Sequence, residues 1–289
     1  MKRLLVTGAS GFLGWNLCQI ARVNWQVYGT YYSQKIEIPG VSLLKLDLRH
    51  YKAIAEGFKT IKPDAVIHAA AASKPNFCQT HPQESYKINV TASLNIARLC
   101  QEHKIHCAFT STDLVFDGQN PLYSETSPVS PICYYGEQKV IAEEKMSEIT
   151  DAIALCRMPL MFGLPSLASA SFLQGMIKSL KAGQPVNLFT DEFRTPASAV
   201  TASTGLLLAI EQQVKGILHL GGKERISRYD FGLLVADLLG LPPKLIQPIS
   251  QADITMVAQR SPDTSLDSSK AFSLGYQPLS IKEELEKLI

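Results

Sequence analysis

The stretch that most limits how this chain can fold is Gly8-Ala9-Ser10-Gly11-Phe12-Leu13-Gly14. Before it comes Leu4-Leu5-Val6, an apolar run too short for a helix and read as a buried strand. After it, from Phe12 to about Ala21, the pattern is that of an amphipathic helix. A glycine-rich turn between a strand and a helix lets the backbone come close to a phosphate. The helix start then offers unpaired N–H groups and the positive end of a dipole. The spacing is G-x-x-G-x-x-G, not the G-x-G-x-x-G of many dinucleotide folds, but the flanking strand and helix are the context the motif requires. Gly8, Ser10, Gly11, Phe12, Leu13 and Gly14 are therefore expected to hold a pyrophosphate. A plain strand–helix loop is the competing reading.

Strand-like and helix-like stretches alternate beyond that turn, which predicts an α/β fold with a doubly wound parallel sheet. Gln26–Tyr31 reads as the second strand. An acid about 20 residues past the glycines usually holds the ribose of NAD. Here the chain runs Tyr31-Tyr32-Ser33-Gln34-Lys35 and the first acid is Glu37. Nothing repels a 2′-phosphate, and Ser33 and Lys35 could hold one. That favours NADP and leaves NAD open. Leu43–Leu48 reads as the third strand, with Asp47 and Leu48 at its cofactor end. Asp47 either meets the adenine or caps a helix starting near Tyr51.

The fourth strand, Ala65–Ala72, runs into small residues. Ala70 and Ala71 would let a flat cofactor lie against the backbone. His68 reads as a packed strand residue rather than a catalyst. A helix is expected over residues 82–103, with Asn89 in its middle holding a water or a backbone group. The fifth strand, His106–Ser111, ends at Thr112-Asp113, where a hydroxyl could face a ligand or cap a turn.

Tyr135-Gly136-Glu137-Gln138-Lys139 opens the next helix. Positions four apart share a helix face, so a phenol and an ammonium point into one space. A neighbouring cation lowers a phenol's pKa, which suits Tyr135 to proton transfer with a substrate oxygen. Taken alone, the pair is equally a solvated helix face.

Composition sets the outer bounds. The 289 residues carry a net charge of +2 and are 46% hydrophobic, an ordinary globular balance that suggests no nucleic-acid or membrane partner. No apolar run approaches the roughly 20 residues of a membrane span. The first residues imitate a signal peptide only as far as Val6. The six cysteines show neither a C-x-x-C pair nor zinc spacing, so no metal is expected. They read as buried thiols in a reducing, cytoplasmic setting.

With Thr7–Gly14, Ser111–Gly118 and Tyr135–Lys139 in view, the chain resembles an extended short-chain dehydrogenase/reductase. It is most similar to the dTDP-4-dehydrorhamnose reductase family, a group that includes the regulatory beta subunit of methionine adenosyltransferase. Arg157-Met158-Pro159, Arg194-Thr195-Pro196, Gly221-Gly222 and Ser265–Lys270 extend the resemblance nearly end to end. It implies a Rossmann domain over 1–162 and a smaller substrate-binding lobe over 163–289, the two interleaved if the chain alternates between them. It implies Tyr135 as general acid–base, Lys139 on the nicotinamide ribose, and Thr112 on the substrate carbonyl. It also implies an NADP-dependent reductase of a 4-keto sugar nucleotide, with a homodimer allowed. The alternatives are an epimerase or a non-catalytic NADP-binding subunit. Sugar 4,6-dehydratases of this superfamily carry a Glu where this chain has Leu114, which cannot move a proton. Asp113 and Arg194 are the further substrate-binding candidates. The Arg194 guanidinium fits a diphosphate bidentately, or else pairs with Asp191 or Glu192.

Overall fold

Residues 1–289 are described by a computed structural model. The Leu4-Leu5-Val6 run is the middle of β1 (Arg3–Thr7). It is followed by β2 (Gln26–Tyr31), β3 (Val41–Lys45), β4 (Ala65–His68), β5 (His106–Thr112), β6 (Ile153–Met158) and β7 (Gly216–His219). All seven pair in parallel, in the order β3-β2-β1-β4-β5-β6-β7. The chain winds outward from β1 to β3, then returns to lay β4 on the other side of β1. That reversal opens a crevice at the carboxyl ends of the strands.

The strands are covered on both faces, and the alternation of side chains shows it. Leu4 and Val6 pack with Leu17, Ala202 and Leu206 on one face. Leu5 packs with Ile54, Phe58, Ile96 and Met146 on the other. The first face carries helices Phe12–Ala21 and Ala199–Glu211; the second carries Tyr51–Ile61, Ala92–His103 and Tyr134–Ile149.

A second core gathers Phe162, Leu173, Leu180, Phe231, Val235, Ile246 and Leu285. Around it lie helices Phe172–Lys181 and Arg228–Leu238, and a parallel pair of short strands, Val186–Phe189 and Ile246–Ile249. Between these pieces, residues 199–219 go back to the large sheet and supply one of its helices and its edge strand β7. The two layers are therefore interleaved in sequence, and no single cut at 162/163 separates them.

Two strands end earlier than their apolar runs. The third stops at Lys45, which leaves Leu46, Asp47 and Leu48 in the loop beyond it. The fourth stops at His68, and Ala69–Ala72 continue without ladder pairing. The helix over 82–103 is broken in one place by π-helical turns at Lys87–Thr91. Asn89 sits inside that bulge. Its Oδ1 accepts from Ala72 N at 2.8 Å, and its Nδ2 donates to Ala72 O at 3.2 Å and Gln138 Oε1 at 2.8 Å. Widened turns of this kind recur at functional sites. Here the bulge pins the backbone that leaves β4.

Candidate active site

A cleft of about 650 Å³ runs along the carboxyl ends of the strands. Gly8, Ser10, Gly11, Phe12, Leu13, Gly14, Ser33, Asp47, Leu48, Ala70, Ala71, Thr112, Asp113, Tyr135 and Arg194 all line it. Lys139 lies behind the wall, 1% exposed. Lys35 is exposed and stands outside the cleft.

The glycine turn is tight for identifiable reasons. Gly8 has φ +71°, and a Cβ there would stand 2.8 Å from the Ala70 Cα. A Cβ on Gly14 would strike the Gly8 carbonyl. Helix Phe12–Ala21 begins with no side-chain cap and no acid in its first turn. Its positive end is thus left open toward the cleft, as an anion such as a pyrophosphate requires.

The backbone facing this turn is held from below. Thr7 Oγ1 accepts from Ala69 N and Ala70 N at 3.1 and 3.2 Å, so its own proton goes to His68 Nδ1, 2.6 Å away. His68 Nε2 then donates to Ser93 Oγ at 3.0 Å, and Ser93 donates to Asn89 O at 2.7 Å. Burial pushes the His68 pKa down to about 3, so the ring is a neutral strut.

Tyr135 and Lys139 occupy the first turns of helix Tyr134–Ile149. Gly136 lets that helix press on the loop, because a Cβ there would strike the Leu114 carbonyl. The Lys139 Nζ donates to Thr110 O at 2.7 Å, lies 4.5 Å from the Phe109 ring centroid, and lies 5.9 Å from that of Tyr135. Burial lowers its pKa to about 7, with Glu143 pulling the other way. The expected lowering of the Tyr135 pKa is not what this structure holds. Burial raises it well above the ordinary phenol value, Cys78, Asp113 and Cys133 add to the rise, and the Thr112 hydroxyl opposes it. The phenol therefore keeps its proton at neutral pH.

Beyond β5 the polar groups are tied to one another. Thr112 Oγ1 donates to Asp113 Oδ1 at 3.1 Å and accepts from Leu114 N at 3.2 Å. Asp113 Oδ2 accepts from Thr264 Oγ1 at 2.9 Å and meets Arg194 Nε at 3.3 Å. Burial raises the Asp113 pKa, while Arg194, Thr264 and Thr112 draw it back. Arg194 gives Nη1 to Phe193 O and Ser261 O, and its Nη2 stands 3.5 Å from Glu192 Oε1. Most of its donors are spent, so it braces Asp113 and Glu192 rather than presenting a free fork to a diphosphate. Arg260, half-exposed and 3.6 Å from Glu192, is the more available cation on this wall. Asp47 is no helix cap: helix Tyr51–Ile61 has none. It binds Arg49 instead, through Nε at 2.8 Å and Nη2 at 2.6 Å. Arg49, Tyr32 and Arg260 line the cleft and were not among the residues singled out from sequence. Tyr32 meets Arg49, and Arg260 meets Glu192, from another loop, where spacing carries no signal; the Arg49–Asp47 pair is local, two positions apart.

A family model described as RmlD substrate binding domain matches residues 1–289. Among solved structures, a hypothetical dTDP-4-dehydrorhamnose reductase from Sulfolobus tokodaii is 31% identical, with a TM-score of 0.85 over 96% of this chain and 98% of its own. Methionine adenosyltransferase 2 subunit beta from Xenopus laevis is 29% identical over 95% of this chain and 83% of its own. A Haloferax volcanii protein named "probable low-salt glycan biosynthesis reductase" is 28% identical over 98% and 96%.

Proposed function

The chain belongs to the RmlD substrate-binding-domain family, within the extended short-chain dehydrogenases/reductases, and on that premise we propose that it is an NADP-dependent reductase of a 4-keto sugar nucleotide. One observation carries the reading. Thr112 and a protonated Tyr135 line the same cleft as an uncapped, glycine-opened helix start, with a buried Lys139 behind them.

The open helix end and the glycine turn fit a dinucleotide pyrophosphate. Such a dinucleotide, when bound, supplies a hydride to a substrate carbonyl. Tyr135 gives its phenol proton to the oxygen that becomes charged. Thr112 donates to that oxygen once its hydroxyl turns from Asp113, and stabilises the charge as it develops. The Lys139 ammonium, close to the phenol ring, favours the phenolate that remains. Asp113, held by Thr264 and Arg194, fixes the backbone that aims Thr112.

A second reading draws on the likeness to a methionine adenosyltransferase subunit: a non-catalytic chain that binds a dinucleotide and a partner enzyme. An NADPH and NADH oxidation screen over a panel of keto-sugar nucleotides separates the readings. Net oxidation with one of them supports the reductase. Turnover of a sugar without net oxidation makes the chain an epimerase. No turnover, with a stoichiometric partner in the purified material, supports the subunit.

A further inference from the structure

The glycine turn is steadied from outside the large sheet, by the strap that leads into the second core. Residues 163–171 leave the short strand Met161–Phe162 and enter helix Phe172–Lys181, whose Leu173 and Leu180 belong to that core. None of them lines the cleft. Two side chains tie strap and turn together. Ser166 Oγ donates to Ser10 O at 2.7 Å, across 156 positions. Asn16 Nδ2 donates to Leu164 O at 3.0 Å and to Phe12 O at 2.9 Å. Ser166 and Asn16 are both buried.

The strap holds Ser166 in its turn. Ser166 N donates to Ser169 Oγ at 3.0 Å, Ala168 N donates to Ser166 Oγ at 3.2 Å, and Ala168 packs against the first-face core. Ser166 Oγ also lies 3.0 Å from Ser169 Oγ. Its one proton takes the shorter contact, to Ser10 O, so Ser169 supplies the proton between the two hydroxyls. Ser10 O and Gly11 N–H are opposite edges of one planar peptide. The N–H goes to Gly8 O at 2.9 Å, and Ser166 takes the carbonyl. With both edges held, that peptide cannot rotate, and Gly11, the first residue before helix Phe12–Ala21, is fixed. The first bond inside the helix runs from Trp15 N to Gly11 O at 3.0 Å. The N–H groups of Phe12, Leu13 and Gly14 therefore have no helical acceptor and are offered to an anion from a fixed base.

We propose that Ser166 is a positioning residue for the dinucleotide: it touches no ligand, and by locking the Ser10–Gly11 peptide it keeps the turn in the arrangement that takes a pyrophosphate. Dinucleotide affinity is then set in part by the second lobe, not by the sheet and its glycines alone. Without the tie the peptide rotates between arrangements. A ligand that needs one of them then binds with an affinity reduced by the fraction of molecules that hold it. The assignment rests on the dinucleotide reading above.

The test is fluorescence titration of the full-length chain with NADPH, beside calorimetric titration with 2′-AMP, which carries the adenosine end of the dinucleotide and no pyrophosphate. Ser166→Ala removes one neutral hydrogen bond and weakens NADPH by about 3- to 10-fold. It leaves 2′-AMP at its wild-type affinity. Ser166→Thr keeps the hydroxyl and recovers the NADPH affinity. A Ser166→Ala variant that binds NADPH as the wild type does overturns the assignment and leaves the dinucleotide reading standing. Equal weakening of both ligands makes Ser166 a general brace of the lobe and overturns it too. A wild type that does not bind NADPH removes the dinucleotide reading itself, and the assignment with it.

Discussion

Replacing Lys139 by Met should make the ligand-free protein more stable while removing a group the chemistry uses. The Lys139 ammonium is 1% exposed and has one hydrogen bond, to Thr110 O at 2.7 Å. Burial moves its pKa from 10.5 to about 7. Between those values the unfolded chain holds the proton and the folded chain releases it. The unfolded state therefore binds more protons, and stability rises with pH across this window. At about 1.4 kcal/mol per pKa unit, the buried amine costs about 4 kcal/mol at pH 7 and about 2 kcal/mol at pH 9. Met fills a similar volume and does not titrate. The lost bond to Thr110 takes back about 1 kcal/mol. The variant should thus exceed the wild type by about 3 kcal/mol at pH 7 and about 1 kcal/mol at pH 9. Urea unfolding of both proteins at the two pH values measures this. A variant less stable than the wild type at pH 7, or a gap that does not narrow at pH 9, refutes the reasoning.

Three more outcomes are expected. Tyr135→Phe should lower turnover by about 10²- to 10⁴-fold and leave dinucleotide affinity unchanged, read by steady-state rates and fluorescence titration; full turnover would take Tyr135 out of the mechanism. Glu143→Ala should cost about 3–5 kcal/mol, because it strands the buried Arg157 guanidinium whose Nη2 it meets at 2.7 Å; denaturant melts check this. Asn89→Ala leaves the Ala72 backbone and Gln138 Oε1 without their partner and should cost about 2 kcal/mol. An unchanged melting curve would mean that the bulge holds without it.

Local signals made part of this structure readable in advance. β2 spans Gln26–Tyr31, the stretch its residues suggested, because β-formers there end against turn formers. The glycine turn was legible because only glycine tolerates the backbone at Gly8 and the contact at Gly14. The ends of β3 and β4 were not legible. Leu46 and Leu48, and Ala69 to Ala72, are as apolar in their loops as they would be in a strand. The return of residues 199–219 to the large sheet is a matter of topology and leaves no local mark. The same holds for the polar contacts made between distant loops. Arg194 meets Asp113 from 81 positions away, and Arg49 meets Tyr32 from 17. Spacing placed Lys139 on the face of Tyr135, but the depth of burial that governs both groups belongs to the packed molecule.

The most direct test of the account is a crystal structure of the chain with NADPH bound. The account predicts the pyrophosphate over Gly8–Gly14 and the nicotinamide ring within reach of Tyr135 and Thr112. A dinucleotide seated elsewhere, or a nicotinamide ring out of reach of the Tyr135 hydroxyl, would contradict it.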